Sequence, residues 1–224
     1  MINAEVLFEY IDLLGKGTLD TLYMTLLATF FAYFFGLPLG ITIVVTEKKH
    51  ILPNNKLNLF LEGLINITRS IPFIILLIAI IPFTRFVVGT TIGATASVVP
   101  LVVGAIPFVA RMVETSMKEL DRGIIEAAQA IGASPWKIIT KVMIPETLPS
   151  LILGLSITTI TLIGYSAMAG AVGGGGLGDL AIRYGYYRYQ KDVMFLTIVL
   201  LIIIVQIVQS SGSYFSKKID KKNR

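Results

Sequence analysis

The sequence predicts an all-α membrane protein, a polytopic bundle of helices that crosses the bilayer five times. The composition supports this class: mean hydropathy is +0.78, 54% of the residues are hydrophobic and only 15% are charged. Soluble globular chains carry about 25% charged residues. Several apolar runs also approach the ~20 residues that a helix needs to cross a bilayer. The chain has no cysteine, which excludes a disulfide framework and a thiolate metal site.

The five predicted spans follow the apolar runs in order. They cover about Thr21–Val45, Leu57–Phe83, Thr91–Met112, Ser150–Ala169 and Val193–Gly212. Gly36 and Pro38 interrupt the first of them. The start of the chain is acidic and lacks a basic region ahead of an apolar core, so we expect no signal peptide there. Residues 1–20 are predicted to form a short amphipathic helix at the outer surface. We treat residues 1–224 as one domain with a core at about 18–210.

Lys and Arg residues are divided unequally between the two sides of this arrangement. With the N-terminus outside, thirteen face the cytoplasm: Lys48, Lys49, Lys56, Arg111, Lys118, Arg122, Lys137, Lys141, Lys217, Lys218, Lys221, Lys222 and Arg224. Five lie outside: Lys16, Arg85, Arg183, Arg188 and Lys191. Because cytoplasmic loops of membrane proteins are rich in Lys and Arg, the sequence predicts an N-out, C-in orientation. These loops account for the net charge of +5, so no nucleic-acid partner is expected.

A polar, helix-forming segment at residues 121–149 lies between two of the spans. It carries the helix-capping and helix-ending residues that are typical of a helical hairpin. Asp121 can cap the start of a first helix, and Gly132 can end it in the left-handed conformation. Ser134 can cap a second helix that begins at Pro135, where the missing N–H is harmless. The segment is predicted to be a cytoplasmic helical hairpin.

The second helix of this hairpin is predicted to be short and amphipathic. Pro145 and Pro149 are expected to stop it before the next span. Apolar residues fall on one face at helical spacing: Trp136, Ile139 and Val142 or Met143. Such a face, outside the bilayer, predicts a surface for docking a partner.

The spacing within this hairpin resembles the EAA loop of bacterial ABC-importer permeases. Glu126, Ala127 and Ala128 are followed after three residues by Gly132, and after nine more by Val142-x-Ile144-Pro145. The family pattern is EAA, three residues, Gly, nine residues and Ile-x-Leu-Pro, so Val142 and Ile144 are conservative departures. The resemblance implies that the loop sits in a groove of a cytoplasmic ATPase. The coupling residues it predicts are Glu126, Ala127, Ala128, Gly132, Ser134, Pro135, Trp136, Ile139, Val142 and Pro145.

A more specific resemblance extends from about residue 18 to 209. Residues 66–77, 81–85, 99–101, 108–114 and 164–173 are similar to the methionine-import members of this permease family. This resemblance implies one subunit of an importer of D- or L-methionine in the bacterial plasma (inner) membrane. It further implies two partners, a separate ATPase and an extracytoplasmic methionine-binding lipoprotein.

The chain is expected to work as a homodimer and to catalyse no reaction itself. An ABC motor uses two ATPases and so needs two EAA-like loops, whereas one chain supplies one. A two-fold homodimer supplies both and places ten helices around an axial path. The sequence has no G-x-x-x-x-G-K-[ST] motif, so ATP and Mg²⁺ are expected on the partner ATPase. We expect this chain to bind no cofactor or metal.

Three residues within the spans are candidate functional groups. Arg69 is charged at a depth where charge is costly, so it should face protein or water. Glu62 lies two helical turns earlier, and a structural ion pair or a role for Arg69 in a solute pathway are both consistent with the sequence. Met168 is the one long apolar side chain in a run of small residues at the end of the fourth span. In a dimer, two Met168 side chains could close the outer mouth of the pathway.

Two other function classes compete with the importer. A secondary transporter or channel for a small polar solute remains the alternative, although such carriers commonly place carboxylates or histidines within spans. Here the deep spans offer almost none beyond Glu62. A membrane-embedded enzyme would need a His/Asp/Glu cluster or a Ser–His pair, and the sequence shows neither.

Overall fold

The computed structural model describes the backbone of residues 4–220 and the side chains of residues 11–220. Every regular element in this part of the chain is helical, as predicted. The α-helices are α1 (Ala4–Val45), α2 (Asn55–Arg69), α3 (Phe73–Ala79), α4 (Ile81–Val88), α5 (Ala94–Lys118), α6 (Arg122–Ala130), α7 (Pro135–Ile138), α8 (Ile144–Gly170), α9 (Gly176–Leu180) and α10 (Lys191–Ile219). Two π-helical segments, Ile139–Met143 and Ala181–Tyr186, join neighbouring helices.

The first helix is one continuous element of 42 residues. The predicted separate surface helix at residues 1–20 is therefore wrong: from Ala4 onward the chain runs without a break into the first span. Gly36 does not interrupt this helix but packs it against α5, where an added Cβ would lie 2.8 Å from Val109. Gly40 does the same one turn later, 2.6 Å from the carbonyl oxygen of Ala110. Small residues thus allow α1 and α5 to pack closely against each other.

The second predicted span is broken rather than continuous. Helices α2 and α3 meet at an angle of 98° across the residues that end in Pro72. Proline lacks an N–H and disfavours the helical conformation of the residue before it, which explains the break. In contrast, α5 continues through Pro100 and Pro107. Four of the described helical stretches are long and apolar enough to cross a bilayer, and counting the bent pair gives up to five.

The second helix of the hairpin does not end at Pro145 or Pro149. Residues 135–170 form one helical stretch of 36 residues, and the prediction that Pro145 and Pro149 stop the second helix is wrong. Pro145 lies in the first turn of α8, directly after the π-helical segment in which the N–H of Ile144 reaches back to the carbonyl oxygen of Ile139. A missing N–H is tolerated in a first turn. Pro149 lies further inside α8, which continues through it as α5 continues through its two internal prolines.

The two ends of the bundle are recognisable from their contacts. At the end that carries the hairpin, Ser216 Oγ of α10 donates a hydrogen bond to the carbonyl oxygen of Pro149, at 2.9 Å. At the opposite end, the N–H of Leu177 in α9 donates to Thr21 Oγ1 of α1, at 2.9 Å. Helix α8 therefore runs from the hairpin end to the opposite end, and α10 returns beside it. The main buried cluster lies between α1, α5 and α8.

Candidate functional site

The hairpin turn has the geometry that the sequence predicts. Asp121 Oδ1 accepts a hydrogen bond of 2.8 Å from the N–H of Gly123 at the start of α6. At its end, Gly132 has φ of +77°, its N–H reaches the carbonyl oxygen of Gln129, and the N–H of Ala133 reaches that of Ala128. These two bonds define a Schellman motif. An added Cβ at Gly132 would meet nothing within 4 Å, so the residue is required by its backbone conformation and not by space.

The second helix of the hairpin begins as predicted, with one difference at its cap. Pro135 is the first residue of α7, and Ser134 occupies the cap position. Within the described residues, however, the Ser134 side chain makes no capping hydrogen bond. Fixed φ at Pro135 and the Schellman motif before it are therefore the features that set this turn.

One face of the hairpin is buried in the bundle, and this corrects part of the predicted docking face. Ile139 is only 7% exposed and belongs to the main buried cluster. Ala128 is also buried there, and Val142 is half-buried against the same cluster. Trp136 of α7, three residues before Ile139, is exposed, so the boundary between the exposed and the buried face of this helix falls between these two side chains. Ile139 and Ala128 therefore fix the hairpin to the membrane helices.

The opposite face of the hairpin is an exposed apolar surface. Trp136 is 73% exposed and Ile131, directly before the turn, is 85% exposed. Ile124 is also exposed, and Glu126 and Ala127 lie on the same helix without burial. We call Ile124, Ile131 and Trp136 the outer patch. The sequence prediction included Trp136 but missed both isoleucines, although the position of Ile131 beside the cap of α6 was a usable signal.

An ionic network joins the base of the hairpin to the first and second helices. Lys118 Nζ at the end of α5 lies 2.5 Å from Glu47 Oε1 and 2.8 Å from Glu114 Oε1. Arg111 contacts the other oxygen of Glu114 at 2.6 Å and donates to Asn66 Oδ1 of α2 at 2.8 Å. Glu114 is buried, so two cations compensate a carboxylate that has left water.

Glu62 lies beside this network and does not pair with Arg69. Carboxylate oxygens of Glu47, Glu62 and Glu114 lie within 4.8 Å of one another, a spacing that a cation could bridge. Lys118 and Arg111 already supply positive charge to this group. Among the described residues Arg69 makes no ion pair, so the alternative of a Glu62–Arg69 pair is wrong.

Arg69 instead lines a cavity of about 260 Å³ at the bend between α2 and α3. The other lining residues are Thr68, Ile71, Phe73, Leu76, Gly104, Phe108 and Tyr165. Phe73 and Tyr165 stack with ring centroids 4.3 Å apart and planes 3° from parallel. Thus the structure places the intramembrane charge beside an aromatic wall.

Met168 lies one helical turn beyond this cavity, toward the end opposite the hairpin. Its side chain is 48% exposed on the surface of the single chain. Gly164, one turn before it on the same helix, is exposed too, and an added Cβ there would meet nothing within 4 Å. These two residues leave one face of α8 exposed on the single chain.

His50 lies in the turn after α1, beside the hairpin. It lines a cavity of about 350 Å³ with Glu47, Lys118, Arg122 and Ile125. Burial lowers the pKa of His50, Arg122 lowers it further, and the Glu47 carboxylate opposes the shift. Its Nδ1 is buried and has no hydrogen-bond partner among the described residues. The imidazole is half-buried.

Comparison with known proteins decides the family. A family described as the binding-protein-dependent transport system inner membrane component matches residues 34–221. The chain belongs to this family. It is 50% identical to the "Probable D-methionine transport system permease protein MetI" of Vibrio cholerae over 211 residues, or 94% of each chain. It is also 45% identical over 220 residues to the "Methionine import system permease protein MetP" of Bacillus subtilis, covering 97% of this chain and 99% of that one.

Solved structures agree with this assignment. The fold matches a chain of the MetNI methionine ABC transporter in an inward-facing conformation, with a TM-score of 0.94 and 48% identity over 95% of this chain and 99% of that one. A chain of an amino-acid ABC transporter matches with a TM-score of 0.79 at 20% identity, over 97% and 99%, and so shares the fold. As a member of the inner membrane component family, this chain is a membrane subunit of a transport system. The predicted family and the predicted all-α, membrane-helix class are both confirmed.

Proposed function

We propose that this chain is the permease subunit of an ATP-driven methionine importer, which receives mechanical work through the hairpin of α6 and α7. The observation that carries the proposal is the exposed outer patch beside the Schellman turn at Gly132. Exposed apolar clusters of this kind, next to charged residues such as Glu126, are typical of protein interfaces. Relatives with 45–50% identity are named as methionine permeases, which supports the substrate.

The partner at the outer patch is a separate ABC ATPase, which binds ATP and Mg²⁺. Ile131 and Trp136 would insert into its groove, and Glu126 would pair with a basic residue there. Large exposed apolar side chains at the centre of an interface contribute most of its binding energy. The buried face of the hairpin, with Ile139 and Ala128, would carry the resulting displacement into the bundle.

The path of that displacement is the helical stretch at residues 135–170. At about 1.5 Å per residue it reaches roughly 50 Å, from Trp136 at the ATPase to Met168 near the opposite end. The stretch is uninterrupted, so a tilt imposed at one end moves the other end. The π-helical segment at 139–143 is the one irregular part of this lever, and such segments often lie at functional sites.

A two-fold homodimer completes the transporter, because two ATPases require two hairpins. The open face of α8 at Gly164 and Met168 would line the dimer axis. Two Met168 side chains meeting there would close the pathway at the end that faces the binding lipoprotein. The unequal distribution of Lys and Arg supports N-out, C-in insertion in the plasma membrane, with the hairpin on the side where ATP is available.

The test is uptake of radiolabelled methionine into proteoliposomes that contain the permease, its ATPase and the binding protein. We expect uptake to require ATP on the hairpin side and to be unaffected by collapse of proton and sodium gradients. The alternative, a secondary transporter or channel, predicts the reverse dependence. Uptake driven by an ion gradient without the ATPase would overturn the proposal.

A further inference from the structure

We infer that the cavity at the bend of the second span binds the transported amino acid within the membrane; this inference rests on the proposed function. The cavity lies between the α2–α3 bend, α5 and α8 and has a volume of about 260 Å³. At about 30 Å³ for each water in the liquid, this is the space of roughly eight or nine waters. That size suits a single amino acid.

The bend between α2 and α3 leaves backbone groups that require cover or a cavity. Pro72 breaks the span, and backbone that leaves a helix within a bilayer must be covered by protein or must line a cavity. Here the break turns the chain by 98° beside the side chains of α5 and α8. Gly104 of α5 lets the ring of Phe73 pack closely against α5 at this bend, because an added Cβ would lie only 3.3 Å from that ring.

The wall of the cavity suits a thioether side chain. Phe73 and Tyr165 form a flat stack at 4.3 Å, and Phe108 and Leu76 extend the apolar lining. Sulfur makes favourable contacts with aromatic rings at about 5 Å. An unbranched, flexible methionine side chain could therefore lie along this wall, whereas a charged side chain would lose its hydration without a partner.

The charged end of the cavity suits a zwitterion. Arg69 has no ion-pair partner among the described side chains, although an unpaired guanidinium in a span is costly. An α-carboxylate would accept two parallel hydrogen bonds from it. Helix α2, of 15 residues, ends at Arg69, and the partial negative charge of its last carbonyl groups would favour the α-ammonium.

The cavity lies where a solute that has passed Met168 would arrive. Tyr165 precedes Met168 by three residues, so the cavity lies one turn of α8 nearer the hairpin. A solute released at the opposite end would pass Met168 before it reached Arg69. The site would hold the amino acid after the gate closes behind it.

The experiment is equilibrium binding of radiolabelled L-methionine to the purified permease–ATPase complex without the binding protein. We expect saturable binding, weakened about tenfold or more by Arg69→Gln, since a hydrogen-bonded charge pair is lost. Arg69→Lys should restore part of it. The matched control is Arg85→Gln in α4, another arginine of this chain outside the cavity lining, which should bind like the parent.

A second readout needs no variant. Methionine methyl ester, which lacks the carboxylate charge, should compete poorly for the site in the parent complex. Absence of saturable binding, equal competition by the ester, or equal affinities of Arg69→Gln and Arg85→Gln would each overturn the inference. If ATP-driven uptake by the parent transporter is normal in the same preparation, the proposed function still stands; if uptake also fails, the proposed function fails with it.

Discussion

Lys118 Nζ lies 2.5 Å from Glu47 Oε1 and so ties the end of α5 to the turn that follows α1. The same ammonium contacts Glu114, which is buried and also contacts Arg111. Helix α6 begins four residues after Lys118, so this network holds the base of the hairpin. The network therefore connects the base of the hairpin to α5 and to the turn after α1.

Removing Lys118 should destabilise the hairpin base. Lys118→Gln leaves the carboxylates of Glu47, Glu62 and Glu114 close together with one cation fewer, and we expect a loss of about 1 kcal/mol, since Lys118 is partly exposed. Thermal unfolding of the purified permease measures this. Lys56→Gln, an exposed lysine in the first turn of α2, is the control. Equal unfolding temperatures for the two variants would contradict a stabilising network.

Trp136→Ala should weaken association with the ATPase without unfolding the permease. Trp136 is exposed, and truncating a central aromatic residue of an interface costs about 2 kcal/mol or more. Affinity of the two purified subunits in detergent measures the effect. Phe86→Ala is the matched control, because Phe86 is 87% exposed but lies on α4, outside the hairpin. The outer patch would lose its assigned role if both variants bound the ATPase equally well.

Much of the fold could be predicted from the sequence, because hydrophobicity and helix caps are local signals. Asp121, Gly132 and Pro135 mark the hairpin where the structure has it. The end of the second helix was predicted wrongly, since a proline does not always end a helix: α8 continues through Pro149, as α5 continues through its two internal prolines. Ile139 and Met143 of the π-helical segment are buried in the core, a contact between distant parts of the chain. The sequence around residues 139–143 contains no local pattern that predicts a π-helical segment there.

The partners of the intramembrane charges could not be predicted either. Glu62 and Arg69 share a face of α2 in sequence, which suggested a pair. In the structure Glu62 lies with carboxylates from α5 and from the turn after α1, while Arg69 reaches the cavity at the bend. Contacts between distant parts of the chain depend on how α2 docks, and spacing within one helix does not contain that information.

Stability should depend on pH through His50. The pKa of His50 in the folded protein is lowered from its usual 6.5, so the unfolded chain binds the proton more readily. The resulting stability is complete above pH 6.5 and is lost as the pH falls through the lower folded pKa. Unfolding temperatures measured from pH 7.5 down to pH 5, about the range in which histidine titrates, should therefore decline. His50→Gln should flatten that decline, and an unchanged pH profile would contradict this origin.

Met168 side chains should approach each other across the dimer axis. A Met168→Cys permease is expected to form a disulfide-linked dimer in the nucleotide-free state, because bridging needs Cα atoms about 4.4–6.8 Å apart. Non-reducing electrophoresis after mild oxidation measures it. Phe86→Cys, exposed on α4, serves as the control for random collision. Absence of a cross-link in every nucleotide state would exclude the gate.

The most direct test of coupling through the hairpin is to measure ATP hydrolysis and methionine uptake on the same proteoliposomes carrying Gly132→Val. A β-branched residue is strained at φ of +77°, so the Schellman turn should be lost while the bundle inserts normally. Gly132→Asn, which tolerates this conformation, is the control and should retain uptake. We expect Gly132→Val to reduce the methionine imported per ATP hydrolysed about tenfold or more. Uptake and hydrolysis equal to those of the parent would contradict the account.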